Sequence, residues 1–428
     1  MRENNRKKGK DNIIYVDGPQ EAREANERAA VERKKQKNSR SLLLIGAALA
    51  AILVVYLFAN RQFRGYKVLS NTETNYENMA SYVEYGGNML KYTPDGVSYI
   101  NSNGDTVWTA GIDMKMPVAV TSGDYAAVAD LNGNSICVFG LEGQISNLTM
   151  PYNICDVDIA NQGAFVVVLE SNQTNYVNLY NKKGEIVYEI QTTIDKSGYP
   201  LDVTISDDGE KLFTSYIGVG SSRVSNNLAA YNFGDVGQNA NADRIVGGYM
   251  FDDQIFPKLE FVNNDTVVAF GTKDIKIYSM KEKPSEKGSI EAENEIRSVF
   301  YAEDFIGTIC DTGEEEEKTL YSLVVYDLHG KKKFDKSIDF KYNNVYAFND
   351  EIIVTGENRC MIIRSNGRTK FDGQLEGRVS SVVPSGKGNE YVVVYDNATQ
   401  IIKLRYEAAS SVKSDASEEE TQDNSAEE

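Results

Sequence analysis

The chain has one histidine, one tryptophan and four cysteines in 428 residues. A single histidine leaves zinc sites built on imidazole without ligands. It also leaves the usual general base with no second imidazole or orienting neighbour. That residue, His329, stands in Asp327-Leu-His-Gly330 and is read as part of a hairpin tip. No CxxC, nucleophile elbow, P-loop or dinucleotide fingerprint appears. Cys137, Cys155, Cys310 and Cys360 each sit in strand-like apolar context, so they are read as small buried hydrophobes and not as a disulfide framework. No metal and no cofactor is expected.

Long apolar runs are absent except for one, Leu42 to Ala59, eighteen residues without a charge. As a helix it would be about 27 Å long, close to the ~30 Å hydrocarbon core of a bilayer. The expectation is a transmembrane signal anchor over 41–59. Six Lys/Arg lie in the fifteen residues before the run and three in the fifteen after it. The more basic flank stays inside, so the N-terminus is expected in the cytoplasm and the large domain outside. A cleaved signal peptide fits less well, because its n-region would be about forty residues and no small-residue cleavage site follows.

Charge divides the same way. Residues 1–60 hold 12 Lys/Arg against 7 Asp/Glu, and the remainder holds 33 against 56. An outer domain this acidic is not expected to bind nucleic acid. Residues 1–40 read as a polar, basic tail with a helix opening at Pro19, capped from Asp17 and supported by Glu24 and Arg28 at i,i+4. The patch Asn12–Asp17 reads as a short docking motif or as inert. Residues 408–428, with seven acids and one lysine, cannot build a core and read as disordered.

Residues 60–407 repeat. An apolar residue, then glycine four positions on, then an aromatic four further recurs as Ile100-Gly104-Trp108, Tyr180-Gly184-Tyr188, Tyr326-Gly330-Phe334 and Ile363-Gly367-Phe371, and incompletely at Phe139-Gly143. Each reads as strand, tight turn, strand. A second alternating strand pair precedes each mark, which makes a unit of about four antiparallel strands. Spacings of 39, 41 and 37 residues between turn glycines suit propeller blades. The fold class is therefore all-β, a β-propeller of eight blades, or seven if residues 220–300 hold one irregular blade. The last unit lacks a strand, and GYKVLS (65–70) is otherwise unplaced. It is expected to close the ring as the outer strand of the last blade.

The stretch 100–108 resembles the repeat of quinoprotein-like propellers, in which a docking tryptophan follows the turn glycine. The tryptophan-rich docking that goes with quinone binding is absent, so the likeness concerns architecture. Taken with YTPDGVSYINSNGDTVW (92–108), YAAVADLNGNSICVF (125–139), KSGYPLDVTISDDGEKLFTSY (196–216) and KLEFVNNDTVVAFG (258–271), the chain resembles an uncharacterised Firmicutes family of single-pass, extracytoplasmic propellers. That resemblance implies architecture and location, and no chemistry.

Candidate binding residues follow from placement. Asp156, Asp158 and Asp202 start inner strands and should lie near the ring's channel, as a solvated rim or a site for a cationic ligand. Many of the 26 tyrosines are read as blade core; Tyr199, Tyr216, Tyr231 and Tyr249, near or within the Gly/Asn-rich stretch 217–250, the longest departure from the repeat, are the candidate binding surface. Asp130-Leu-Asn132-Gly-Asn134 begins like a calcium loop but fails at its later positions, and is read as an Asn-Gly hairpin. Three functions stay open: a membrane-anchored module binding a protein or envelope polymer, an envelope hydrolase or lyase using channel carboxylates, and a signalling link through residues 1–40.

Overall fold

Why this sequence makes blades is visible in its turns. In the computed structural model, Gly104, Gly184, Gly330 and Gly367 all have φ between 80° and 87°, the left-handed region that suits glycine. Each donates its N–H to the carbonyl three residues back, at 2.8–3.0 Å. In three of the four the residue opening the turn is Asn or Asp. Its side chain accepts two more main-chain N–H groups, as Asn181 Oδ1 does from Lys183 (3.0 Å) and Glu185 (3.1 Å). The next strand's aromatic then docks on a neighbouring blade. Trp108 stacks on Phe139 at 5.3 Å and donates from Nε1 to the Leu141 carbonyl at 2.8 Å. Phe334 lies against Gly367, where an added Cβ would stand 2.9 Å from its ring.

The structure describes residues 19–59, 61–73, 80–172, 174–219, 224–240, 242–312 and 320–406. The expected cap at Asp17, the patch Asn12–Asp17 and the tail 408–428 lie outside them. The described residues form two units, 1–61 and 62–428. The first holds one helix, Pro19–Ala59. It is continuous where the sequence suggested a tail helix and a separate span. Glu24 and Arg28 pair across one turn at 3.7 Å, both exposed. Among the described residues no helix is long and apolar enough to cross a membrane. The expected span 41–59 lies only partly within them, since the side chains of 41, 42, 55 and 57–59 fall outside.

The second unit is an eight-bladed propeller. Its strands form eight four-stranded antiparallel sheets, seven in simple meander order and the eighth completed by the unit's first strand. The inner strands are, in turn, Ser81–Tyr85, Pro117–Ser122, Asn153–Ile159, Tyr199–Ile205, Lys258–Asn263, Ile296–Ala302, Tyr342–Phe348 and Val379–Pro384. Second strands such as Phe165–Leu169 and Thr266–Phe270 are buried throughout, which is why they read as unbroken apolar runs. Outer strands alternate, as Ile186–Thr193 does, with one face open to water. The core is not one mass. It divides into eight apolar clusters, each between the faces of consecutive blades.

Ring closure follows the expectation. Gly65–Glu73 pairs antiparallel with Ala398–Arg405 and supplies the outer strand of blade 8. Tyr66 and Val68 pack into the cluster between blades 7 and 8, and Phe63 donates its N–H to Lys370 O at 2.7 Å. Met89 and Ile100 of blade 1 meet Val383, Val392 and Ile401 of blade 8 in the last cluster. Residues 220–300 hold the outer half of blade 4, the whole of blade 5 and the start of blade 6, which settles the count at eight. In blade 4 the glycine turn is replaced by the short helix Asp235–Ala240, and in blade 5 by a loop through Pro284.

Candidate functional site

Three adjacent inner strands carry the same polar pattern two residues apart: Asp156 and Asp158, Asp202 and Thr204, Lys258 and Glu260. Period-two alternation puts each pair on one face of its strand. Asp156 Oδ2 accepts from Val203 N at 3.0 Å, and Asp158 Oδ2 from Ile205 N at 2.9 Å. One blade on, Asp202 Oδ2 accepts from Leu259 N at 2.6 Å and Thr204 Oγ1 from Phe261 N at 3.0 Å. Thr204 also donates to Asp158 Oδ2 at 3.0 Å. The side chains of each inner strand thus hold the main chain of the next, and blades 3, 4 and 5 are stapled along the channel.

The staples concentrate charge. Lys258 Nζ lies 3.5 Å from Asp202 and 3.5 Å from Glu260, and among the described residues it is the one cation in contact with this group of four carboxyls. Burial pushes Asp156 up to about 6 and Asp202 and Glu260 up to about 7, with Lys258 working against it in all three. Asp158 is raised for the same reason, restrained by the Ile205 N–H and then Lys258. Burial acts to lower Lys258, but Glu260 and Asp202 prevail and raise it. Tyr301, on the inner strand of blade 6, hydrogen-bonds Glu260 and is itself raised well above the usual phenol value by burial.

Beyond Tyr301 the channel opens into a cavity of about 490 Å³. Its lining comes from the inner strands of blades 1, 2, 6, 7 and 8, including Tyr82, Glu84, Thr121, Tyr301, Tyr346 and Phe348. Among the described residues of that lining Glu84 is the only carboxylic acid, and no Lys, Arg or His joins it. Burial raises its carboxyl, and the Gly87 N–H at 2.8 Å restrains the shift.

The residues singled out in the sequence divide sharply. Asp156, Asp158 and Asp202 do come together at the channel, on the neighbouring strands described above. The four tyrosines do not form an open surface. Tyr216 and Tyr231 are 2% and 3% exposed, with their hydroxyls 3.3 Å apart, because they lie on the middle strands of blade 4, covered on both faces. Tyr249 stacks on Tyr278 at 4.5 Å and donates to Pro284 O at 3.2 Å. Tyr199 points its hydroxyl at Cys155 Sγ, 3.8 Å away. Residues 217–250 are mostly strand and helix of blade 4, with 220–223 and 241 outside the described residues.

Asp130-Leu-Asn132-Gly-Asn134 is the hairpin expected. Asp130 Oδ1 accepts from Lys115 N (2.9 Å) and Met116 N (2.7 Å), and Asn132 takes φ 60°. His329 is exposed in its turn. Cys137, Cys310 and Cys360 are buried, Cys155 is half-buried, and all four are free thiols. Lys258, Glu260, Tyr301 and Glu84 were not singled out from sequence. The signal for the first two was present: KLEF (258–261) places charges at alternate positions of an inner strand, as CDVD (155–158) does.

Comparison with known proteins adds architecture. A model described as "Family of unknown function (DUF5711)" matches residues 59–404. No curated protein matches the chain. Among solved structures, Sqt1 from Chaetomium thermophilum is similar with a TM-score of 0.52 at 12% identity, over 80% of this chain and 100% of that one. BamB from Moraxella catarrhalis gives 0.49 at 11%, over 79% and 100%. The Pan2 WD40 domain of Neurospora crassa gives 0.42 at 11%, over 68% and 89%. At such identities the likeness concerns the fold alone.

Proposed function

The chain belongs to the family of unknown function DUF5711, and for it we propose a non-catalytic, membrane-anchored propeller that binds a protein or cell-envelope ligand outside the cell. The observation that carries this reading is the channel cavity, framed by five inner strands of a closed ring. A rigid ring with a shaped central cavity suits recognition. The rival hydrolase reading calls for two carboxyls facing one substrate, whereas the cavity lining offers Glu84 alone. The carboxyls of the neighbouring cluster are occupied by main-chain N–H groups, Thr204 and Tyr301.

Anchoring is supported by the first unit. Leu43, Leu44, Ile45, Leu49, Ile52, Leu53, Val54 and Tyr56 are 47–72% exposed. So much uncovered aliphatic surface on one helix is costly in water and favourable in hydrocarbon. The basic residues before the run place the N-terminus in the cytoplasm on this reading, as a single-pass protein. A reporter active only after export, fused behind Glu407, is expected to work. Activity confined to a reporter that functions in the cytoplasm would overturn the topology.

A further inference from the structure

We propose that the channel cavity takes a cationic amine or guanidinium carried on an apolar stem. The inference rests on the binding-module reading above and names the chemistry of that same site. Tyr82, Phe300, Tyr301, Tyr346 and Phe348 contribute to the lining, together with Val83, Val299, Val345 and Val383. This composition receives an apolar body. The charge in it is of one sign. Glu84 lines the cavity, has no recorded ion-pair partner among the described residues, and keeps one carboxylate oxygen, Oε2, outside its bond to Gly87 N.

The surroundings reinforce that sign. Tyr301 lines the cavity and on its far side bonds Glu260, in the cluster where four carboxyls meet Lys258. A phenol donating to a carboxylate has a more electron-rich ring. The lining holds Glu84 together with five aromatic residues, and both a carboxylate and aromatic rings favour an ammonium or guanidinium. An anion there would meet no basic side chain, because the lining has none. A volume of about 490 Å³ admits a side chain or a small amine, and not a folded domain.

The probes are benzylamine, benzyl alcohol and phenylacetate, which share a ring and differ in charge, titrated into the full chain in mild detergent and followed by NMR. Benzylamine is expected to bind at least tenfold more tightly than benzyl alcohol, and phenylacetate not to bind. Glu84→Gln is expected to bring benzylamine down to the level of the alcohol. A lysine tripeptide blocked at both ends separates the two sources. Binding of the peptide assigns the site to a side chain inserted by a partner, and binding of benzylamine alone assigns it to free amines. Equal affinity for benzylamine and benzyl alcohol in the unsubstituted chain overturns the proposal, whether or not Glu84→Gln folds. The wider binding-module reading is judged separately, by whether a partner is captured in cells.

Discussion

Replacing Asp202 by asparagine should make the ring more stable at pH 8 and leave it unchanged at pH 5. Asp202 is 8% exposed and its carboxyl is held at about 7 against an ordinary 3.8. A carboxyl whose proton is held more tightly in the folded chain adds stability below its unfolded value. That contribution is lost as pH rises through the folded value. For Asp202 alone the ceiling is about 4 kcal/mol between pH 4 and pH 8. Asp156 and Glu260 titrate in the same window, at about 6 and about 7. A proton on one relieves the others, so the contributions do not add, and about 2–4 kcal/mol is expected for the whole cluster. Lys258 is raised and stays charged throughout the window, so it adds no slope. An amide keeps an oxygen for Leu259 N–H and removes one of the excess negative charges, at the cost of the 3.5 Å contact with Lys258. Urea unfolding of the full chain in detergent, at half-unit steps from pH 5 to pH 8, is the assay. The unsubstituted chain should lose about 2–4 kcal/mol across the range, and Asp202→Asn about half of that. At pH 8 the variant should be ahead by about 1–2 kcal/mol. A variant that is less stable at pH 8 with the slope unchanged would refute the reasoning, because it would mean that Asp202 is ionised and stabilised by Lys258.

Two further outcomes follow from the blade contacts. Trp108→Ala should cost about 2–3 kcal/mol in unfolding free energy, since the half-buried ring leaves its place against Phe139 and the Leu141 carbonyl loses its donor, whereas Trp108→Phe should cost roughly 1. Val68→Asp, on the closing strand within the cluster between blades 7 and 8, should unpair Gly65–Glu73 from blade 8. The edge exposed in this way should show as self-association in light scattering, and a monomer of unchanged stability would count against closure by that strand.

The ring was legible because its rules are local. A turn glycine with an aromatic four positions on marks blades 1, 3, 6 and 7, with an Asx residue opening the turn in the first three of these, and the unplaced GYKVLS could be assigned by the need to cover an edge. Blades 4 and 5 were harder, because Asp235–Ala240 and the Pro284 loop stand where the glycine turn belongs. The channel was half legible. Asp156, Asp158 and Asp202 could be placed from strand order, but Lys258 becomes their partner only once blade 5 is set beside blade 4. Tyrosines were the weakest guide: Tyr216 and Tyr231 look the same in sequence as any surface ring, and only the pairing of Leu212 with Tyr231 and Tyr216 with Asn227 shows them in the middle of a sheet. The cavity was invisible, since its lining is drawn from blades up to about three hundred residues apart in sequence.

The central claim is that the channel cavity is where this ring meets its ligand. Photo-crosslinking in living cells tests it most directly, with the reactive group introduced at Thr121 in the cavity lining and, as the control, at Val187 on an outer strand, 56% exposed. The account expects a reproducible adduct from position 121 that is absent from position 187. Capture at position 187 equal to or stronger than that at position 121 would contradict it.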